Sequence, residues 1–288
     1  MRTIFLGTGG AENYPSIWCE CENCKYARIH KGKNIRLSSS LFIEPDILVD
    51  FPPTLHDRAL EYNIKLSSLK HLFFTHSHDD HFYPYLIRWR YSKVYIEDKD
   101  RYFSNKTALP ILSIYATSTI IKQIKKTFLY SEEEPYRIKF VPIMPYQKIQ
   151  IDEERTAIPV LANHFLGDVY PFNFIFKLNN KYIFYALDSD WPLEDTIAYI
   201  GYNKISFDIV VVEATGGELP REQVIKGHMN FEDNIRLYHY FKEHGFLKKD
   251  GKFILSHFTH YSPPYDLIKE QFKKIGIIPA YDGMTIEI

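Results

Sequence analysis

Residues 73–81 read Phe73-Phe74-Thr75-His76-Ser77-His78-Asp79-Asp80-His81, an apolar run that stops abruptly at three histidines and two aspartates. Core packing does not ask for such a set. Imidazole and carboxylate groups on a loop just past a buried strand are what divalent cations take as ligands, and a loop can curl so that alternate side chains converge. The pattern H-x-H-x-D-H therefore reads as a metal loop rather than as a solvated polar turn. A second cluster lies nearer the N-terminus, where all three cysteines fall within Cys19-Glu20-Cys21-Glu22-Asn23-Cys24. Neighbours this close seldom reach disulfide geometry without strain, whereas three thiolates on a tight turn can face one soft cation. That turn supplies three ligands, and a fourth must come from elsewhere in the chain.

The elements that must position these groups follow from hydrophobic periodicity. Leu69 to Phe74 is the strand that delivers the metal loop, and other apolar strands end in the same way. Ala157 to Ala162 runs into Asn163-His164. A hairpin of Phe172 to Leu178 and Tyr182 to Leu187, turned through Asn179-Asn180, ends in Asp188. Lys252 to Leu255 leads into Ser256-His257. In a layered α/β protein, strand ends on one edge form the natural site for ligands from distant parts of the chain. His76, His78, His81, His164 and His257 with Asp80 and Asp188 suit two cations that share one bridging carboxylate, each with four protein ligands and room for water.

Elsewhere the signals are structural. Thr3 to Leu6 is a strand entering Gly7-Thr8-Gly9-Gly10, a tight turn whose amides would alternatively approach an anion. Arg36, Ser38, Ser39 and Ser40, before a strand pair over Leu41 to Asp50, are expected to satisfy loop backbone in preference to an oxyanion. Helices are expected over Lys25 to Ile29, Pro53 to Tyr62, Thr117 to Leu129, Phe231 to Glu243 with Asn230 as cap, and Asp266 to Ile275. Lys122, Lys125 and Lys126 face solvent in this reading, and His30, His56 and His71 are surface residues. Tyr83 to Tyr95, with Arg88, Trp89, Arg90 and Lys93, reads as a packed helix near the mouth of the site rather than a nucleic-acid clamp. Lys99 to Asn105 is expected as a loop and Ser131 to Glu134 as an acidic turn.

With 288 residues, 45% of them hydrophobic, and no internal repeat or linker, one domain over 1–288 is expected. Thirty-five Lys and Arg against 36 Asp and Glu give a net charge of −1, which argues against nucleic acid or an anionic membrane as partner. The apolar run in Met1 to Gly7 is too short for a signal peptide, and no stretch approaches the roughly 20 apolar residues of a membrane span. A soluble, cytoplasmic protein is expected.

The chain resembles the metallo-β-lactamase-fold hydrolases. Within them it is similar to the cyclic ribose-phosphate phosphodiesterase group of the carbon-phosphorus lyase pathway. The marks are Gly7-Thr8-Gly9, the C-x-C-x-x-C turn, HSHDDH, Tyr185-Ala186-Leu187-Asp188, Gly227-His228-Met229, Ser256-His257-Phe258-Thr259-His260 and Ala280-Tyr281-Asp282-Gly283-Met284. H-x-H-x-D-H fixes only the superfamily, whereas the cysteine turn with His257 and His260 narrows it. The resemblance implies a four-layer αββα sandwich, and an insertion at about 85–135 is where this chain departs from the family pattern.

It further implies that His76, His78 and His164 hold one divalent metal, that Asp80, His81 and His257 hold the second, and that Asp188 bridges them. The two ions would be manganese or zinc. Cys19, Cys21, Cys24 and His260 would form a structural zinc site, with His260 as the missing fourth ligand. Asp80 and His228 are the candidate catalytic residues, Asp80 through its metal and His228 as proton donor or phosphate contact. The expected reaction is phosphodiester hydrolysis of a small (cyclic) phosphate ester by a metal-bridging hydroxide. An RNA-processing nuclease and a non-catalytic metal-binding accessory protein of cofactor biosynthesis are the alternatives. A homodimer is implied by the resemblance alone.

Overall fold

In the computed structural model, which describes residues 1–90, 109–129, 136–164 and 170–287, the alternating apolar strands form two sheets. The first holds β1 (Arg2–Gly7), β2 (Ser40–Ile43), β3 (Ile47–Val49), β4 (His71–Phe73), β5 (Leu112–Ala116), β6 (Ile138–Pro142) and β14 (Thr285–Glu287). Their order is β14-β1-β2-β3-β4-β5-β6. The second holds β7 (Ile149–Gln150), β8 (Arg155–Leu161), β9 (Phe172–Leu178), β10 (Lys181–Ala186), β11 (Phe207–Ala214), β12 (Leu247–Phe258) and β13 (Ile277–Pro279), in the reverse order β13 to β7. Among the described residues the α-helices are α1 (Glu22–His30), α2 (Leu55–Glu61), α3 (Ser118–Lys126), α4 (Glu194–Tyr202), α5 (Phe231–Glu243) and α6 (Tyr265–Lys273).

Side chains alternate across each strand, and the alternation sorts them into layers. Phe5, Ile47, Val49 and Phe73 share a buried cluster with Phe174, Phe176, Tyr185, Val211 and Ile254, so the two sheets meet face to face. Phe73 stands edge-on to Phe174 and Phe176, with ring centroids 5.4 and 5.2 Å away. The alternate residues Ile4, Leu6, Leu48 and Leu72 point outward to Leu55, Ile120 and Ile124 of α2 and α3. On the far side Phe184, Val210, Val212 and Phe253 pack with Ile200, Leu237, Phe241 and Phe272 of α4, α5 and α6. The architecture is the expected αββα sandwich. Neighbouring strands β3 to β6 are parallel, as are β10 to β13, and β8 points the same way as β10 through antiparallel β9.

Several expectations are refined by packing. The last long strand extends over Leu247–Phe258, so His257 lies within it rather than after it. His71 is half-buried, not a surface residue: its Nδ1 is 3.1 Å from the Tyr115 hydroxyl, and burial lowers its pKa. The opening glycines do not offer amides to an anion, because the Gly9 N–H goes to Leu37 O at 2.7 Å and the Gly10 N–H to Phe258 O at 2.9 Å. Their small size is what counts, since a Cβ on Gly10 would sit 3.2 Å from the His257 ring. Buried Arg36 donates from Nη1 to Ala280 O at 2.8 Å and stacks over Phe258, while Ser39 and Ser40 donate to Gly9 O and Val49 O, so these residues serve the loops.

Of the segment expected as an insertion at about 85–135, residues 91–108 and 130–135 lie outside the described residues, and with them Lys93, the Lys99 to Asn105 loop and the Ser131 to Glu134 turn. The described part supplies a 3-10 turn over Pro84–Arg90, strand β5 and helix α3, which Thr117 caps and whose Lys122, Lys125 and Lys126 are exposed. Among the described residues no helix is long and apolar enough to cross a membrane.

Candidate metal centre

The strand ends converge on one edge, and the cluster there can be built from the loop after β4. His76, His78 and His164 bring one ring nitrogen each to within 4.8 Å of one another, and Asp80, His81, Asp188 and His257 form a second group by the same measure. The second group is wholly buried. Asp188 joins the two, because its Oδ2 is 2.7 Å from His81 Nε2 and 3.2 Å from His76 Nε2. Its Oδ1 is 3.4 Å from His257 Nε2. Every residue of the proposed seven is therefore brought to the cluster, and Asp79 is exposed and outside it.

Inside the cluster, ring nitrogen faces ring nitrogen as well as carboxylate. His81 Nε2 faces His257 Nε2 at 3.2 Å, and His164 Nε2 faces His78 Nδ1 at 3.4 Å. Two buried atoms, His76 Nε2 and Asp188 Oδ2, make no hydrogen bond among the described residues despite their 3.2 Å approach. Lone pairs aimed at one another around a buried carboxylate fit a divalent cation in place of protons.

The buried carboxylates make a field that favours positive charge at the cluster. Burial works against ionised Asp188, but His257 and His81 outweigh it and hold its pKa well below the carboxylate range. Burial likewise opposes a charged His81, yet Asp80, Asp188 and Asp50 raise its pKa well above the usual value. Asp80 is pulled down by His81 and His257 against the same burial penalty. His164 behaves oppositely: burial, with His76 and His228 nearby, takes it down to about 4, so its ring is neutral and free to act as a ligand.

Outside the seven, the surrounding residues turn the rings. Asp50, fully buried just after β3, takes His81 Nδ1 at 2.7 Å and thereby points Nε2 into the cluster. Gly227 O lies 3.2 Å from His164 Nδ1 and does the same for that ring. Asp50, Asp188 and His257 have φ of 63°, 43° and 55°, a left-handed backbone uncommon for such residues, where the chain turns into the site. Gly227, at φ 91°, has no room for a side chain, since a Cβ would lie 2.9 Å from His164 Nδ1. Gly227→Ala is expected to push His164 aside and weaken metal retention about 10- to 100-fold, read by competition with a chelator. Unchanged retention would show that His164 is not held from this side.

His228 completes the edge. Its Nδ1 is 3.0 Å from Glu213 Oε2 and 3.6 Å from Asp188 Oδ1. Arg221 fixes the loop, donating to His228 O at 2.6 Å, to Asp233 Oδ2 at 3.0 Å and to Asp190. Burial lowers the His228 pKa, but the charge and hydrogen bond of Glu213, with help from Asp188, raise it to about 9. Asp50, Glu213 and Arg221 are not among the site residues expected from the sequence, and Gly227 enters there only as part of the Gly227-His228-Met229 mark. For Asp50 and Glu213 a signal existed: each is a carboxylate closing an apolar strand, the same mark that singled out Asp188.

The cysteine turn forms a second, separate cluster. One ligand atom from each of Cys19, Cys21, Cys24 and His260 lies within 4.8 Å of the others. Cys21 caps α1, its sulfur 3.5 Å from the Cys24 N–H, and Asn23 Nδ2 donates to His260 O at 3.1 Å, tying the turn to the chain after β12. Burial raises the Cys24 thiol to about 12, whereas Cys21 is lowered because hydrogen bonds from Cys24, Cys19 and Asn23 outweigh its burial. His260 Nδ1 is buried without a hydrogen-bond partner among the described residues, and a soft cation fits that donor set.

No protein-family model matches the chain, and no curated protein matches its sequence. Solved structures match over its whole length. A diphosphatase of the PhnP family is 19% identical, covering 100% of this chain and 98% of that one with a TM-score of 0.71. Zinc-bound PqqB from Methylobacterium extorquens is 15% identical over 100% of both chains, with a TM-score of 0.76. The metallo-β-lactamase fold protein YhfI from Bacillus subtilis is 17% identical over 100% of this chain and 99% of its own, with a TM-score of 0.69. At these identities the likeness is one of fold. Two mixed sheets between helices, with a His/Asp cluster where the strands end, make this chain a metallo-β-lactamase-fold protein whose architecture resembles that of the PhnP-family diphosphatase.

Proposed function

We propose that the protein is a dinuclear metal-dependent hydrolase, a phosphodiesterase acting on a small, cyclic or open, phosphate ester. The observation that carries this reading is the pair of donor groups sharing Asp188, with the braced His228 3.6 Å from that same carboxylate. His76, His78 and His164 would hold one cation, Asp80, His81 and His257 the other, and Asp188 both. Cys19, Cys21, Cys24 and His260 would hold a structural zinc. Manganese or zinc at the paired site supplies Lewis acidity and a water of lowered pKa at neutral pH.

The chain's own groups do the rest. Asp80 and Asp188 carry the negative charge that fixes the cations, while the neutral His164 and His78 leave net positive charge to meet a phosphoryl group. The pKa of His78 is lowered chiefly by burial and by His76, which keeps it uncharged. With Nδ1 held by Glu213, His228 has Nε2 left to deliver a proton to the departing alkoxide. The PhnP-family neighbour's description as a diphosphatase supports phosphorus over carbon as the centre attacked. The near-neutral net charge of −1 weighs against an RNA substrate.

The test is a panel of phosphodiesters, lactones and thioesters assayed on metal-reconstituted protein, with His78→Ala as control for contaminating activity. Metal-dependent cleavage of an aryl phosphodiester and about three metals per chain are expected. Lack of turnover with either manganese or zinc would sink the reading. About one metal per chain would instead favour a structural zinc in a non-catalytic accessory protein.

A further inference from the structure

A ring nitrogen that faces a cation must carry a lone pair, so the proton of a neutral imidazole has to reside on its outward nitrogen. For His81 and His164 the outward acceptors are the Asp50 carboxylate and the Gly227 carbonyl, groups that only accept. The outward nitrogens of His76 and His257 meet something less decisive. His76 Nδ1 is 2.9 Å from Thr75 Oγ1, and His257 Nδ1 is 2.9 Å from Thr215 Oγ1. A hydroxyl donates or accepts, and alone it would not choose between the two tautomers.

Each hydroxyl also touches a fully buried carboxylate that is not among the seven donors. Thr75 Oγ1 is 2.9 and 2.8 Å from the two oxygens of Asp50, and Thr215 Oγ1 bonds Glu213 Oε2. Both carboxylates already accept from backbone amides, whose direction cannot reverse. Asp50 Oδ1 takes the Thr75 N–H at 2.8 Å, and Glu213 takes the N–H groups of Thr215 and Met229 on its two oxygens. The hydroxyl proton therefore goes to the carboxylate, and only an oxygen lone pair remains for the imidazole. His76 and His257 must donate from Nδ1, which leaves Nε2 as the inward ligand atom.

We propose that Thr75 and Thr215 are positioning residues, each turning a buried carboxylate into a tautomer lock on a metal-ligand histidine. The assignment rests on the metal-centre reading above. It also reveals a repeated unit. Asp50 with Thr75, from the ends of β3 and β4, governs His81 directly and His76 through the hydroxyl. Glu213 with Thr215, at the end of β11, governs His228 directly at 3.0 Å and His257 through the hydroxyl. One unit comes from each sheet. The second unit ties the proposed proton donor to a metal ligand through one shared carboxylate.

The experiment compares Thr75→Val and Thr215→Val, which remove the hydroxyl and keep the branched shape, with Thr75→Ser and Thr215→Ser, which keep it. Histidine side-chain nitrogen spectra of the metal-free proteins report the tautomer, and zinc competition with a chelator reports affinity. The natural chain is expected to show the Nδ1–H form at His76 and His257. Each valine variant is expected to lose that form at its own histidine and to weaken zinc about 10- to 100-fold, with serine restoring both. Valine variants that keep the Nδ1–H form would overturn the proposal, as would serine variants that fail as badly as valine. If the natural chain retains no zinc at the paired site, the metal-centre reading falls, while the metal-free spectra still decide the role of the threonines.

Discussion

Asp188→Asn is expected to empty both cation positions at once, leaving about one metal per chain, and to lower turnover of a phosphodiester at least about 10³-fold. The reason is its place between the two donor groups. Its Oδ2 approaches His76 Nε2 of one and His81 Nε2 of the other, and its Oδ1 approaches His257. Asparagine keeps the shape but replaces one oxygen with an N–H₂ group, whose protons would point at nitrogens that need to present lone pairs. A compensating loss of repulsion is not available, because the surrounding histidines gain from the carboxylate's charge. Substitution at a terminal ligand should differ in kind. His78→Ala, at the exposed end of the first group, is expected to release one cation and leave the other. Metal analysis of the two variants separates the cases, and an Asp188→Asn protein that retains about two metals at the paired site would remove the bridging role.

Much of this site was legible because ligand chemistry leaves a mark on the sequence. His76, His164, Asp188 and His257 each interrupt or follow an apolar strand, and strands of one direction must end on one edge. The sandwich followed from the same alternation, since Ile4 and Leu6 face α2 and α3 while Phe5 faces the second sheet. What escaped notice has a physical pattern too. Asp50 and Glu213 carry the strand-end mark, but their residue type does not say that they touch rings rather than ions, and Thr75 and Thr215 matter through the direction of one hydroxyl proton. Gly227 works by lacking a Cβ at φ 91°, and a glycine in a loop carries no such message by type alone. For the glycine turn the sequence leaves an anion cradle open as the alternative, and only the acceptors Leu37 O and Phe258 O close it.

His228→Ala is expected to cost roughly 10²- to 10⁴-fold when an alkoxide leaves, and less than about 10-fold when a nitrophenolate leaves. The difference follows from what the side chain does. An alkoxide is too basic to depart unprotonated, whereas a nitrophenolate departs as the anion, so only the first reaction needs the proton. The position suits this task, since the Nδ1 contact to Glu213 at 3.0 Å leaves Nε2 as the delivering atom. Burial would lower the pKa, but Glu213, Asp188 and Asp80 raise it to about 9, so the ring holds a proton at neutral pH. Cations held by Asp188 and Asp80 would offset part of that attraction and lower the His228 pKa toward neutral pH, where a general acid both holds and releases its proton. Glu213→Gln should show the same dependence on leaving group in weaker form. It should also loosen zinc, because Glu213 reaches His257 through Thr215, whereas His228→Ala leaves that path intact. The measurement is a rate series over phosphodiesters of graded leaving-group pKa for both variants. Equal losses across the series would assign His228 to holding the phosphate instead of protonating what leaves it.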